Sequence, residues 1–254
     1  MSPNQDYCDY QAPAKLLTDK IIAITGAGDG IGKAAAIKFA ELGATVILLG
    51  RTIPKLEKTY DAIVEKGGLQ PAIYPINFEG ATEEDYQTLA ANFAKEFTHL
   101  DGLLHNAAEL GQRTPLSHYS KKAWDTVLQV NVTAQFLLTR ELIPLLEKSK
   151  EASVIFTGSG VGYHGRAFWG AYAVSKAATE NMMQTFADEL NETTRIRVNS
   201  INPGRTRTKM RANAYPAEEP SSLKKPEQIL GVYCYLMGDE SVGVSGRQFE
   251  AQRN

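Results

Sequence analysis

Cysteine is scarce: Cys8 and Cys234 are the two in 254 residues, and neither belongs to a C-x-x-C pair or lies near a histidine cluster. Metal-binding and dithiol redox readings therefore have no support. Two isolated thiols fit a reducing cytosol, and a cytoplasmic location is the expectation. Histidine is scarce too; His99, His118 and His164 have no partner at metal spacing, so no metal site is expected. No apolar run approaches the ~18 residues of a transmembrane helix. The opening MSPNQDYCDYQAPAKLLTDK is polar and lacks the apolar stretch of a secretion signal. Residues 1–18 read as a surface extension whose Leu16–Leu17 packs down before the first strand. Net charge is only −2, so neither nucleic acid nor a membrane surface is an expected partner. Repeats, low-complexity tracts and linkers are absent.

What is present is an apolar fraction of 43%, enough for a sizeable core. Short apolar runs alternate with longer helical stretches. Strands are expected at 21–25, 45–49, 71–78, 100–105, 153–156 and 197–201, with a short one near 247–250. Helices are expected at 31–42, from Thr52–Pro54 to Gly67–Gly68, at 82–97, 121–148 with an adjustment at Pro144, 171–190 and 226–237. Such alternation predicts an α/β fold: one domain, 19–254, with a doubly wound parallel sheet and helices on both faces. Ligands of such sheets sit beyond the C-terminal strand ends, where strand order reverses.

Each chemical motif falls just after a predicted strand. Thr25–Gly32, TGAGDGIG, leaves the first strand and opens a helix. Gly26 permits a tight turn, Gly30 lets backbone N–H groups close on a pyrophosphate at the positive helix end, and Gly32 lets helix and strand approach. The spacing is G-x-x-x-G-x-G, and alone it is equally an ordinary loop. At the end of the second strand, the place of the acidic residue that holds an NAD ribose is taken by Gly50, followed by Arg51. A carboxylate there would repel a 2′-phosphate; a guanidinium clamps one, which favours NADP(H) over NAD(H). The alternative is that Arg51 is a solvated surface arginine.

Tyr172 and Lys176 lie four apart on a predicted helix and share one face. A phenol, with a free pKa of about 10, is a poor acid or base near neutrality; an adjacent ammonium favours its phenolate. Y-x-x-x-K by itself is as consistent with a packed tyrosine and a snorkelling lysine. Ser159 follows the fifth strand, where a hydroxyl can polarise a substrate carbonyl or simply shape a turn. Asn131 sits inside a predicted helix, where asparagine is disfavoured; it either holds a relay water or satisfies a bend.

TGAGDGIG at 25–32, HNAA at 105–108, Asn131, Ser159, YAVSK at 172–176 and NPG at 202–204 together resemble the short-chain dehydrogenase/reductase family, over about residues 19–250. Within it, LDGLLHNAA, GRAFWGAYAVSK and NPGRTRTKMRA resemble a bacterial YciK-like oxidoreductase subgroup. The resemblance implies a seven-stranded Rossmann-like sheet and an Asn131–Ser159–Tyr172–Lys176 catalytic tetrad. Ser159 and Tyr172 would touch the substrate. Tyr172 would exchange the proton, Lys176 would lower its pKa and hold the nicotinamide ribose, and Asn131 would anchor the relay water. By motif position, cofactor contacts are implied for Gly26, Asp29, Gly30, Ile31, Arg51, Asn77, Asn106, Ala107, Tyr172, Lys176, Pro203, Gly204 and Thr206.

Several positions depart from the family pattern: its N-N-A-G stretch reads His105-Asn106-Ala107-Ala108, Asn77 replaces the aspartate that touches adenine, and the usual D-G-G is missing after Phe249-Glu250-Ala251. The last puts the C-terminal packing in question. After NPG, Arg205, Arg207, Lys209 and Arg211 form a cationic run that either meets an anionic ligand or is a solvated face, the second being favoured. Thr206 and Thr208 are candidates to touch the nicotinamide end. Tyr163, Phe168 and Trp169 either wall an apolar substrate pocket or pack a subunit contact. The expectation is an NADP(H)-dependent oxidoreductase acting on a small carbonyl or alcohol, assembled as a homodimer or homotetramer. The alternative is a nucleotide-binding regulator or scaffold that keeps the fold without turnover.

Overall fold

The computed structural model describes residues 7–253. Its centre is a seven-stranded parallel sheet: β1 (Ile21–Thr25), β2 (Thr45–Gly50), β3 (Ala72–Pro75), β4 (Gly102–His105), β5 (Ala152–Thr157), β6 (Ile196–Asn202) and β7 (Gln248–Glu250), in the order β3-β2-β1-β4-β5-β6-β7. β1 pairs with β2 on one side and β4 on the other, so the winding reverses between β1 and β4. That reversal opens a crevice at the strand C-termini.

The strands are apolar runs because both sheet faces are covered. Along β1 and β2, Ile22, Ile24, Val46 and Leu48 point into one core, packed by α1 (Gly30–Glu41), α2 (Ile53–Glu65) and α9 (Gly231–Met237). Ala23, Ile47 and Leu49 point into the other. There they meet α3 (Glu83–Glu96), α5 (Ala134–Leu146) and α7 (Gly170–Asn191). The alternation is the two-residue period of a strand read on both sides. α3 begins with a capping box in which Thr82 and Asp85 satisfy each other's backbone N–H groups. α7 buries Tyr172, Lys176, Thr179, Glu180, Met183, Phe186 and Leu190 at three- and four-residue spacings, which is the stripe facing the sheet.

Three elements differ from the expected ones. β3 ends at Pro75, and Ile76–Phe78 runs on beyond its ladder with β2. The expected helix 121–148 is α4 (Lys121–Leu128), a π turn at Gln129–Thr133 and α5, with Pro144 accommodated inside α5. The departure from α geometry thus falls on Asn131 and not on Pro144. The expected helix 226–237 is a 3-10 turn at Pro226–Ile229 followed by α9.

The chain before β1 packs against α9 and the end of α1. Tyr7 stacks on Tyr235 with ring centroids 3.7 Å apart, and Leu17 is fully buried. The C-terminal packing is intact without D-G-G: β7 pairs with β6, Ala251 N donates to Asn202 O at 2.9 Å, and Asn202 Nδ2 donates to Glu250 at 2.8 Å. No helix among the described residues is long and apolar enough to cross a membrane.

Candidate active site

The glycine turn joins β1 to α1 at the reversal point. Gly26 has φ +68° and Gly30 φ +53°, conformations that side-chain-bearing residues avoid. A Cβ on Gly32 would overlap the Gly26 carbonyl, so only glycine lets the first turn of α1 approach so closely. Asp29 is the N-cap: its carboxylate accepts from Gly30 N at 2.8 Å and pairs with Lys55 Nζ at 2.5 Å, which holds its pKa down. Thr25 Oγ1 accepts from Asn106 N at 2.9 Å and Ala107 N at 3.0 Å, tying the exit of β4 to the exit of β1.

A cleft of about 330 Å³ opens there. Gly26, Asp29, Ile31, Arg51, Asn77, Asn106, Ala107, Ser159, Tyr172, Lys176, Pro203, Gly204 and Thr206 all line it. It runs from Arg51 and Asn77, past the glycine turn, to Ser159, Tyr172 and Lys176, and ends against Trp169 and, from α8 (Lys209–Ala214), Met210 and Ala214. Gly30 is not on the wall itself; a Cβ there would touch Thr208 at 3.4 Å. Arg51 lies on the surface, 63% exposed, with Nη1 3.9 Å from the Glu79 carboxylate, too far for a hydrogen bond. Asn77 Oδ1 accepts from Glu79 N at 3.3 Å. A long cleft with a glycine-lined helix N-terminus midway and a cation at one end fits an extended dinucleotide phosphate.

Ser159 holds the N-cap position of α6 (Gly160–Tyr163) yet makes no cap bond; its hydroxyl is directed to Tyr172 instead and favours the Tyr172 phenolate. Lys176 is 1% exposed, and its Nζ donates to Thr157 O at 2.6 Å and lies 5.7 Å from the Tyr172 ring centre. Burial pushes the Tyr172 hydroxyl up to about 12, with the Ser159 hydroxyl opposing. Burial also brings Lys176 down to about 8, with Glu180 opposing. The net direction for Tyr172 is therefore upward, opposite to the lowering expected from a lysine neighbour, because desolvation of a buried phenolate dominates.

Asn131 is fully buried and does not line the cleft. Its Oδ1 accepts from Glu109 N at 2.7 Å; its Nδ2 donates to Glu109 O and Ser175 Oγ, each at 2.9 Å. The amide therefore pins the loop after β4 to α7, and one lone pair of Oδ1 is left over for a further donor. Ser175 donates onward to Tyr172 O at 2.8 Å. Sequence reasoning passed over Ser175, although its position within Y-A-V-S-K, one helical turn from Tyr172, marks it.

Of the three aromatics, only Trp169 lines the cleft, with its ring 5.5 Å from that of Tyr172. Tyr163 is directed to Glu180, and Phe168 is exposed. Part of the cationic run is neutralised: Glu218 binds Arg205 at 2.6 Å and Arg211 through two bonds of 2.5 and 2.7 Å. The Thr206 hydroxyl donates to Pro203 O at 3.0 Å and accepts from Gln252 Nε2 at 3.0 Å. Gln252 also donates to Pro203 O at 2.7 Å, a clamp on the cleft loop that lies too far along the chain to be read from its motif.

A sequence model of the short chain dehydrogenases matches residues 20–219. The chain belongs to the short-chain dehydrogenase family. It is 51% identical over 243 residues to the oxidoreductase YciK of Escherichia coli (strain K12), covering 96% of each chain. A short-chain dehydrogenase structure from Pseudomonas syringae superposes with a TM-score of 0.95 at 52% identity, covering 96% of this chain and 99% of that one. Another, from Escherichia coli CFT073 and complexed with NADPH, gives 0.92 at 51% identity over 95% and 100%. Membership places this short-chain dehydrogenase among oxidoreductases that use a nicotinamide cofactor.

Proposed function

We propose that this short-chain dehydrogenase is an NADP(H)-dependent oxidoreductase of a small carbonyl or alcohol, with Ser159, Tyr172 and Lys176 as its catalytic residues and Asn131 as their support. The observation that carries the reading is convergence: those three side chains share one wall of a cleft that continues unbroken to Arg51. The NADPH held by a 51% identical relative supports the choice of dinucleotide.

The glycine turn and the N-terminus of α1, with Gly26, Asp29, Gly30 and Ile31, would hold the pyrophosphate. Arg51 would hold the 2′-phosphate, Asn77 the adenine, Lys176 the ribose, and Asn106, Ala107 and Pro203–Thr206 the nicotinamide end. When bound, NADPH supplies the hydride. Ser159 donates to the substrate carbonyl and polarises it. Tyr172, with its pKa raised to about 12, is protonated at neutral pH and gives its proton to the nascent alkoxide oxygen. Trp169, Met210 and Ala214 exclude water at the substrate end. Exposed Phe136 on α5 and Val174 on α7 suit the proposed homodimer or homotetramer, which solution mass measures.

Tyr172→Phe removes one oxygen at a packed position. NADPH oxidation against a carbonyl panel should fall by about 10²–10⁴-fold while NADPH binding, read by its fluorescence, stays within about twofold. Unchanged turnover would remove Tyr172 from the chemistry. Wild-type protein that binds NADPH but oxidises it with none of the panel would favour the binder without turnover.

A further inference from the structure

Lys176 has a charged neighbour that the tetrad does not include. Tyr172, Lys176 and Glu180 follow at four-residue intervals on α7 and share its buried stripe. Glu180 is 4% exposed and receives three hydrogen bonds: from Tyr163 Oη at 3.4 Å, Ser200 Oγ at 2.5 Å and Gln248 Nε2 at 3.0 Å. The three donors and the Lys176 charge favour the ionised carboxylate, against the burial that raises its pKa. A Cβ on Gly158 would overlap Glu180 Oε1, so the carboxylate packs directly against that glycine. Gly158 stands between Thr157, whose carbonyl receives Lys176 Nζ, and Ser159. Lysine and glutamate thus grip the same short turn from neighbouring positions on one helix.

The surrounding groups leave that partnership uncontested. Tyr163 from α6 is neutral, its hydroxyl pushed up by burial and by the Glu180 charge. Glu250 from β7 is a second carboxylate, held by Asn202. His105 from β4 is buried and neutral, pushed down to about 3. Lys176 is the one cation that acts on Glu180 among the described residues.

We propose that Glu180 is the buried counter-charge of Lys176, a positioning residue that keeps the ammonium protonated beside Tyr172 and props the Gly158–Ser159 turn. The inference rests on the reading of Tyr172 and Lys176 given above. Burial alone drives a lysine toward its neutral form, and a nearby carboxylate opposes this. Removing the negative charge leaves burial unopposed, so Lys176 must lose its proton at lower pH.

Lysine labelled with ¹³C at Cε in the full-length protein, with the Lys176 signal assigned through Lys176→Met, gives its titration midpoint directly. The wild-type midpoint is expected at about 8. Glu180→Gln keeps the size and hydrogen-bonding capacity of the side chain and should lower that midpoint by about one unit, a tenfold change in proton affinity. A midpoint within about 0.2 unit of wild type overturns the proposal. Should that variant fail to fold, Gly158→Ala displaces the carboxylate from the other side and must lower the same midpoint; an unmoved midpoint there is equally fatal. The titration needs neither cofactor nor turnover. A protein that titrates as expected but reduces nothing would defeat the catalytic reading alone, and an unmoved lysine would defeat the counter-charge alone.

Discussion

His105 stands where the family pattern has asparagine, and its surroundings make it a liability in acid. It is 1% exposed, stacks on Phe156 with ring centres 4.6 Å apart, and places Nε2 2.7 Å from Thr139 Oγ1. Burial, aided by the Lys176 charge, depresses its pKa from 6.5 to about 3. Above pH 6.5 the ring is neutral whether the chain is folded or not, and nothing is lost. Below it the unfolded chain takes up a proton that the native state refuses. Stability should therefore fall as pH drops from 6.5 toward about 3, by up to ~1.4 kcal/mol per unit from this residue. His105→Asn restores a side chain that does not titrate and should flatten the slope. Urea unfolding at several pH values across that window measures it; parallel loss in parent and variant would show that other groups cause the acid sensitivity.

At the scale of elements, the cleft is braced by pieces remote in sequence. β7 and the residues after it hold the loop of Pro203–Thr206: Gln252 bonds Pro203 O and the Thr206 hydroxyl, and Gly204 lies against the same glutamine. Gln252→Ala removes both bonds and should weaken NADPH binding by about 5–10-fold, the worth of roughly one such net interaction. Thermal stability without cofactor should change little. Fluorescence titration checks it, and unchanged affinity would mean that the pairing of Thr206 with Lys224 holds the loop unaided.

That arrangement also shows where reading the sequence stops. The strands were legible because burial on both faces turns them into apolar runs, and Thr52 with Pro54, and Thr82, marked where α2 and α3 begin. Tyr172 and Lys176 were legible from spacing. The π turn was not: Asn131 is held by Glu109 and Ser175, partners 22 and 44 residues away, and no local pattern encodes that. The direction of the Tyr172 shift was missed for a similar reason, since spacing reveals a neighbouring charge but not the depth of burial that sets the direction. Gln252 belongs with these, its contact with Thr206 spanning 46 positions.

For the molecule as a whole, the reversal of strand order places all the proposed cofactor contacts except Gly30 on the wall of one opening between two packed cores. A ligand seated there bridges β1, β4, β5 and β6 and is absent from the unfolded chain, so its affinity appears as stability. At 100 times its dissociation constant NADPH should add about 2.7 kcal/mol, which for a domain of this size raises the melting temperature by roughly 5–10 °C. NADH at the same concentration should give a smaller rise, because only the 2′-phosphate engages Arg51. Arg51→Ala tests this through the difference between the two dinucleotides. The side chain is mostly exposed and its contact with Glu79 is loose, so the cofactor-free melting temperature should hold. The NADPH-induced rise should shrink toward that of NADH, whose own rise stays put. An equal reduction for both would show that Arg51 acts on the shared part of the dinucleotide, and discrimination would then have to come from elsewhere on the β2–β3 side of the cleft.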